Sequence, residues 1–370
     1  SGKIPEAVLD EKVRRVLRLQ LNIGMMDKCR LSGQRNTIAH QKAAYTIASE
    51  GVVLLKNDNN LLPLDSSKVK NLLVLGVNAD KKHAFGGVSS QIKALYETSP
   101  LQGLKDKLGD DINITYLQIK GGDVVPIAGE NVLSRHWTGT PAWTLTRFES
   151  SARKKPMYTL NVPDSAYETT SCTDSETIVM NAKIKPVFSG KHVFKVKFAG
   201  EFSLFIDSKK IISAASKNSE NLSQNFTLDA NKEYQFEFRY SGNQSFTFGW
   251  DAPNENFASK NEYVAAAKKA DAVKYFGGLS HNEDREAIDR VNMKMPYAQD
   301  ELIAELLTLN KNTVVFLIAG SPVEMPWVEK ADAIVWGWYA GMEGGKAYAD
   351  ILFGDVNPSG KLPFTLPKKL

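Results

Sequence analysis

The feature that most constrains the fold is the spacing of apolar residues, which changes twice along the chain. Up to about Gly121, and again after Glu262, helical segments alternate with short, continuous apolar runs such as 313–318. Between them, runs such as 234–240 alternate apolar and polar residues, as half-buried antiparallel strands do. Continuous apolar strands that alternate with helices are typical of a parallel sheet covered on both faces. The sequence therefore predicts an α/β fold, a doubly wound αβα sandwich interrupted by an all-β sandwich or barrel insert.

This pattern divides the chain into four segments. An insert tolerates its position when its two ends leave the host domain close together. The first segment is a helical tail, with Asp10 as its N-cap and Gly24 at its end, and its apolar face needs a surface to pack on. The segments are the helical tail at 1–35, the first half of the α/β domain at 36–125, the β insert at 126–260 and the second half of the α/β domain at 261–370.

Composition excludes several classes of function. The 370 residues carry 46 basic and 42 acidic side chains, a formal net charge of +4 that is too small and too evenly spread to indicate nucleic-acid binding. No run of about 18 apolar residues is present, so no membrane span is expected. The histidines and cysteines lack metal-ligand spacing, and neither a metal nor an organic cofactor is expected.

The cysteines and the first residues say little about the compartment. Cys29 and Cys172 fall in different predicted segments, which favours two free thiols over a disulfide. The chain opens Ser-Gly-Lys-Ile-Pro without an initiator Met and without a signal peptide, which indicates a processed or trimmed start.

An acidic loop at 277–290 is the main candidate for chemistry. It follows an apolar run that is predicted to be a buried strand and precedes an amphipathic helix, so it lies where open α/β sheets place their ligands. One interpretation is a salt-bridged surface loop. The other is a general acid, either Glu283 or Glu286, whose pKa is raised by burial under a bound substrate.

Two further motifs allow two interpretations each. The glycine-rich stretches 76–80 and 86–90 lack both phosphate-binding spacings, so they are predicted to line a domain interface rather than to bind a nucleotide. The aromatic stretch 336–345 could stack on sugar rings or pack at a strand end, and the insert's tryptophans allow the same two interpretations. Those tryptophans are Trp137, Trp143 and Trp250.

Several stretches, in order, resemble the second domain of family-3 glycoside hydrolases, the family of β-glucosidases and β-xylosidases. One of them reads Ala-Tyr-Thr-Ile-Ala-Ser-Glu-Gly-Val-Val-Leu-Leu-Lys-Asn, from Ala44 to Asn57. Together they cover nearly all of the α/β portion. They are 44–64, 75–80, 86–87, 98–104, 320–327, 338–345 and 352–363.

The insert resembles the protective-antigen-like domain that some of these β-glucosidases carry inside their second domain. The matching positions are Phe188-Ser-Gly190, Phe205-Ile-Asp207 and Phe248-Gly-Trp250-Asp-Ala-Pro253. The sequence Ala199-Gly200-Glu201 stands where that domain usually has paired acidic residues, so no calcium site is assigned to the insert.

The resemblance implies a retaining β-glycosidase that removes terminal, non-reducing β-linked sugars. Its acid/base would be Glu286, three residues before Asp289-Arg290, although Ala287 replaces the family's glycine; Glu283 is the fallback. The family's nucleophile is an aspartate on an N-terminal barrel, and neither the barrel nor its Ser-Asp-Trp-like motif occurs in these residues. The resemblance therefore implies that residues 1–35 are the linker that follows the barrel, and that a fibronectin-like domain is missing after Leu370.

The partner expected from this resemblance is the barrel domain of the same enzyme, and the chain alone is expected to be inactive. A periplasmic or secreted location is favoured by the resemblance alone. The alternative function is a non-catalytic carbohydrate-binding or scaffolding protein, and a nucleotide-binding flavodoxin-like protein comes third. The sugar, the linkage and the oligomeric state stay open, with a homodimer as one option.

Overall fold

The structure is a computed structural model in which the chain forms two compact units, Ser1–Ala43 and Ala44–Leu370. It describes residues 4–27, 33–84, 90, 92, 94–119, 127, 131–134, 142–162, 165–167, 176–242, 246–252, 257–281, 283–284, 290 and 292–369.

Helices and strands follow each other in the order that the apolar spacing predicts. The helices are α1 (Glu6–Asn22), α2 (Ile38–Gly51), α3 (Pro100–Leu108), α4 (Lys260–Lys269), α5 (Gln299–Leu309) and α6 (Gly344–Leu352). The strands of the first sheet are β1 (Val53–Asn57), β2 (Asn71–Leu75), β3 (Asn113–Tyr116), β12 (Ala272–Gly278), β13 (Thr313–Ile318) and β14 (Ala333–Trp336). Those of the second sheet are β4 (Trp143–Phe148), β5 (Pro156–Val162), β6 (Ala166–Tyr167), β7 (Thr177–Ile184), β8 (Gly190–Ile206), β9 (Lys209–Leu228), β10 (Tyr234–Ser241) and β11 (Phe246–Asp251).

The first sheet has six strands in the order β1-β14-β13-β12-β2-β3. All neighbours in it are parallel except β1, which pairs antiparallel with β14 at one edge. Every residue of β12 and β13 is buried, because helices cover both faces of the sheet. The predicted doubly wound α/β sandwich is thereby confirmed.

Alternate residues of the strands build two cores, one on each face of this sheet. On one face, Leu72 and Val74 of β2 pack with apolar residues of α3 and α6. On the other face, Leu73 and Leu75 pack with apolar residues of α4 and α5. The strand period of two residues therefore divides β2 between the two helical layers.

The second sheet contains eight strands and curls around one aromatic core. Residues 193–197 of β8 pair with β11, whereas residues 201–206 pair with β10. The sequence predicts two separate strands here, 192–198 and 202–206, but the structure has one strand that bends at Gly200. Gly200 has φ +130°, and a Cβ on it would lie 2.3 Å from the Ser241 carbonyl oxygen, so only glycine fits this bend.

The strands of the second sheet all lie between β3 and α4 in the chain. The segments leading into and out of them meet at one backbone hydrogen bond, where the Ala258 amide donates to the Gln118 carbonyl at 2.8 Å. The predicted boundary 125/126 lies outside the described residues, and the four predicted segments stay predictions.

The tail helix begins earlier than predicted. Asp10 was expected to cap it, but α1 starts at Glu6 directly after Pro5, and Asp10 lies inside the helix. The fixed φ of Pro5 and an acidic first turn start the helix without a side-chain cap. Gly24, the expected end, has φ +68° two residues beyond Asn22. Cys29 and Cys172 lie outside the described residues, and no helix in the described part is long and apolar enough to cross a membrane.

Candidate active site

The carboxyl ends of β2 and β12 meet at the centre of the first sheet, where the order of strands reverses. From β2 the chain proceeds through α3 to β3 on one side, and it later returns through α4 to β12 on the other. Ligands of doubly wound sheets bind in the crevice at such a point. The loops that follow these two strands therefore form the candidate site.

Asn78 closes this crevice. Its Nδ2 donates to the carbonyls of Gly277 at 2.9 Å and Leu279 at 3.0 Å, and its backbone amide donates to Phe276. Gly76 has φ +106°, and a Cβ on it would lie 2.1 Å from the Phe276 carbonyl oxygen, so the two loops touch through their backbones. Because the Asn78 amide occupies the crevice, Gly76 serves as a contact between the two loops. The sequence around Gly76 also lacks phosphate-binding spacing.

The Glu283 side chain holds the acidic loop to its own neighbours. One carboxylate oxygen accepts from the Ser280 amide and hydroxyl, both at 2.9 Å, and the other accepts from the Tyr297 hydroxyl at 2.6 Å. Three donors therefore fix the position of this one carboxylate within the loop. This arrangement suits an anchor better than a proton donor.

Asp284 holds the same loop to the end of β13. Its carboxylate accepts from the Gly320 amide at 2.6 Å, from the Ser321 amide at 3.1 Å and from the Ser321 hydroxyl at 2.9 Å. The Tyr339 hydroxyl adds a fourth hydrogen bond at 3.1 Å. The sequence places Asp284 among four acids but cannot reveal this anchor, because its partners lie 36 to 55 residues away.

Arg290 supports the far end of the loop by donating to the Pro322 carbonyl. Asp284 and Arg290, which precede and follow residues 285–289 in the chain, therefore both contact the three-residue segment 320–322. Glu286, the predicted acid/base, lies outside the described residues. The predicted helix after the loop starts at Gln299 rather than at Tyr297.

A cluster of aromatic rings backs the loop. Tyr339 lies 4.6 Å from the His281 ring and 5.1 Å from the His83 ring, and the His281 Nε2 donates to the His83 carbonyl at 2.7 Å. Burial, with smaller effects of Lys81 and His281, lowers the pKa of His83 to about 3. Burial and the adjacent Asp284 raise the pKa of Tyr339, so it keeps the proton that it donates. This cluster positions the loop; neutral His83 supplies no charge.

The tryptophans behave mostly as core residues. Trp336 is fully buried beneath Trp338, which donates to the Gly51 carbonyl at 2.8 Å. Trp143 and Trp250 lie in the core of the second sheet, whereas Trp137 lies outside the described residues. The packing interpretation therefore holds for these four of the predicted candidates for sugar stacking. Within the described ranges, no group of three or more His, Cys, Asp or Glu side chains could hold a metal ion.

Comparison with known proteins identifies the family. Residues 52–370 match the family model of the glycosyl hydrolase family 3 C-terminal domain. The chain therefore belongs to that family. Its relatives include a beta-glucosidase from Rhizobium radiobacter and beta-glucosidase B from Emericella nidulans, each 29% identical over all of this chain.

A crystal structure of beta-glucosidase from Kluyveromyces marxianus in complex with glucose is similar with a TM-score of 0.61 at 26% identity. This similarity covers 99% of the chain but 47% of the other one. The chain likewise spans about half the length of the curated relatives it matches, at 47% of each of the two named above.

Proposed function

We propose that this chain is the part of a retaining β-glucosidase that supplies the acid/base, Glu286. The family membership supports the enzyme class, since the relatives named above are beta-glucosidases. The observation that supports the choice of Glu286 is that the neighbouring acids, Glu283 and Asp284, already accept hydrogen bonds within the protein. Glu283 accepts three hydrogen bonds and Asp284 accepts four, which suits both for anchoring the loop.

In the proposed reaction, an aspartate of the barrel domain attacks the anomeric carbon and Glu286 protonates the leaving oxygen. The covalent glycosyl intermediate then loses its sugar to a water molecule that Glu286 deprotonates. The two carboxyls of a retaining enzyme lie about 5–5.5 Å apart, so Glu286 must meet the barrel aspartate in the complete protein. The substrate class is a terminal, non-reducing β-linked glucoside.

The substitution Glu286→Gln in the full-length enzyme tests this assignment. Loss of a general acid/base lowers turnover by about 10²–10⁴-fold, and azide should restore turnover of an activated aryl glucoside because it attacks the intermediate without a base. The product to detect is β-glucosyl azide.

The matched control is Glu283→Gln, which removes the same charge three residues earlier. We expect it to loosen the loop without azide rescue. Azide rescue in Glu283→Gln but not in Glu286→Gln would overturn the assignment.

A further inference from the structure

We propose that a cavity beside the acidic loop binds a neutral saccharide. The cavity has a volume of about 330 Å³ and lies against the first turns of α4 and α5 and the residues that follow β2. This volume is at the lower end of small-molecule sites, which suits one or two sugar rings. The residues that define its chemistry are Tyr263, Tyr275, Tyr297, Lys260, Glu301 and Glu305.

Tyrosine rings supply the apolar part of the cavity. Tyr263 and Tyr275 are buried and fixed in the core between the sheet and α4 and α5. Tyr297 has φ +62° and Ala298 has φ +51°, a pair of left-handed residues without glycine. Such backbone is uncommon and is retained where the surroundings impose it, often at binding sites. The faces of pyranose rings are apolar and pack against aromatic rings of this kind.

The charges of the cavity favour a neutral ligand with hydroxyl groups. Lys260 donates to Glu305 at 2.8 Å, and Glu305 also accepts from the Tyr263 hydroxyl at 2.7 Å. Within the described part of the chain, the Glu301 carboxylate has no side-chain partner, so it is free to accept from sugar hydroxyls. Two carboxylates against one ammonium repel phosphates and other anions.

Helix termini do not reverse this preference. Ser259 and Glu262 form a capping box that occupies the amide groups at the start of α4. The first turn of α5 carries Asp300 and Glu301, which already complement its positive end. The capping box therefore engages amides of α4, and acidic side chains offset the positive end of α5. A saccharide is the ligand class that fits both the rings and the carboxylate.

The cavity is connected to the acidic loop through one side chain. The Tyr297 hydroxyl donates to Glu283 at 2.6 Å, and Glu283 in turn accepts from the Ser280 amide. A sugar packed on Tyr297 is therefore two hydrogen bonds from the backbone of the loop. The choice of a saccharide rests in part on the proposed function.

The test is titration of the 370-residue chain with methyl β-glucoside and with cellobiose, followed by ligand-observed NMR. We expect binding by the native chain and an affinity at least about tenfold weaker in Glu301→Gln, since a hydrogen bond to a charged group is lost. Glu329→Gln is the matched control: Glu329 is exposed before the amino end of β14, and binding should not change. Leu302→Trp should fill the cavity and remove binding.

The outcomes separate this site from the proposed acid/base. Absence of saccharide binding, or unchanged affinity in both Glu301→Gln and Leu302→Trp, would each overturn the proposal. Unchanged turnover of the full-length enzyme in Glu286→Gln would instead overturn the proposed function, and it would not affect the binding result.

Discussion

The side chain of Lys274 lies in the middle of the parallel sheet, an unusual place for a lysine. It lies on β12, is fully buried, and its Nζ has no hydrogen-bond partner among the described residues. Burial lowers the pKa of Lys274 well below its usual value, because a charged amine loses its hydration there. At pH values between its folded and unfolded pKa, the amine is neutral when folded and takes up a proton on unfolding.

This proton uptake makes stability depend on pH. Between the folded and unfolded pKa values the unfolded state binds one more proton, so stability should rise with pH, by up to about 1.4 kcal/mol per unit for this one group. We predict that Lys274→Met increases the free energy of unfolding at pH 7, and that the gain shrinks towards pH 10. Denaturation at both pH values measures it.

Lys268→Met on the exposed side of α4 is the control for this substitution, and it should change stability little at either pH. An equal gain in both variants, or a gain independent of pH, would contradict the lowered pKa of Lys274.

The anchoring role of Asp284 can be tested by a separate substitution. Asp284→Ala leaves the amides of Gly320 and Ser321 and the Tyr339 hydroxyl without their acceptor. Loss of hydrogen bonds to a charged group should lower the free energy of unfolding by about 2–4 kcal/mol and speed amide exchange at 320 and 321. Asp110→Ala, at an exposed position after α3, should do neither. Unchanged exchange at residues 320 and 321 would contradict this role of Asp284.

Among the elements, β13 has the bounds that the sequence predicts, whereas β8 does not. Buried strands and amphipathic helices carry their signal locally, in residues that are adjacent in the chain. The bend of β8 depends on the approach of Ser241, 41 residues further on, and no local pattern distinguishes a bend from a strand end. For this reason the sequence predicts two strands, 192–198 and 202–206, where the structure has one.

Gly200→Ala tests this account of β8. The new Cβ would meet the Ser241 carbonyl and would force an unfavourable φ, so we expect destabilisation of the second sheet by at least about 2 kcal/mol, measured by thermal unfolding. Gly109→Ala is the matched control, since Gly109 also has positive φ but open space around its Cβ position. Equal effects of the two substitutions would show that backbone strain, rather than the contact with Ser241, dominates.

For the whole molecule, the order of elements predicted the fold class, and motif order predicted the family. The closure of the crevice by Asn78 and the anchoring by Asp284 escaped prediction, because both depend on loops that only the folded sheet brings together. Glu286 stays a prediction that rests on its spacing to Asp289 and Arg290. What can be predicted from sequence has a physical limit. The role of a side chain follows from its partners, and these partners lie far away in the chain.

The proposed mechanism also makes a prediction for the chain as a whole. The 370 residues alone should not hydrolyse an aryl β-glucoside, because in the proposed mechanism the nucleophile belongs to the barrel domain. A longer protein that includes the barrel serves as the positive control in the same assay. Turnover by the isolated chain that disappears in Glu286→Gln would contradict the division of the two carboxyls between domains.

The hydrogen bond between Ala258 and Gln118 has an evolutionary consequence. It joins the two stems of the β module directly, so the parallel sheet is complete without the residues between them. Recombination at this point could delete the module or replace it with another fold, and every strand of the parallel sheet would keep its neighbours. A change confined to this module would therefore leave intact the sheet that supports the acidic loop.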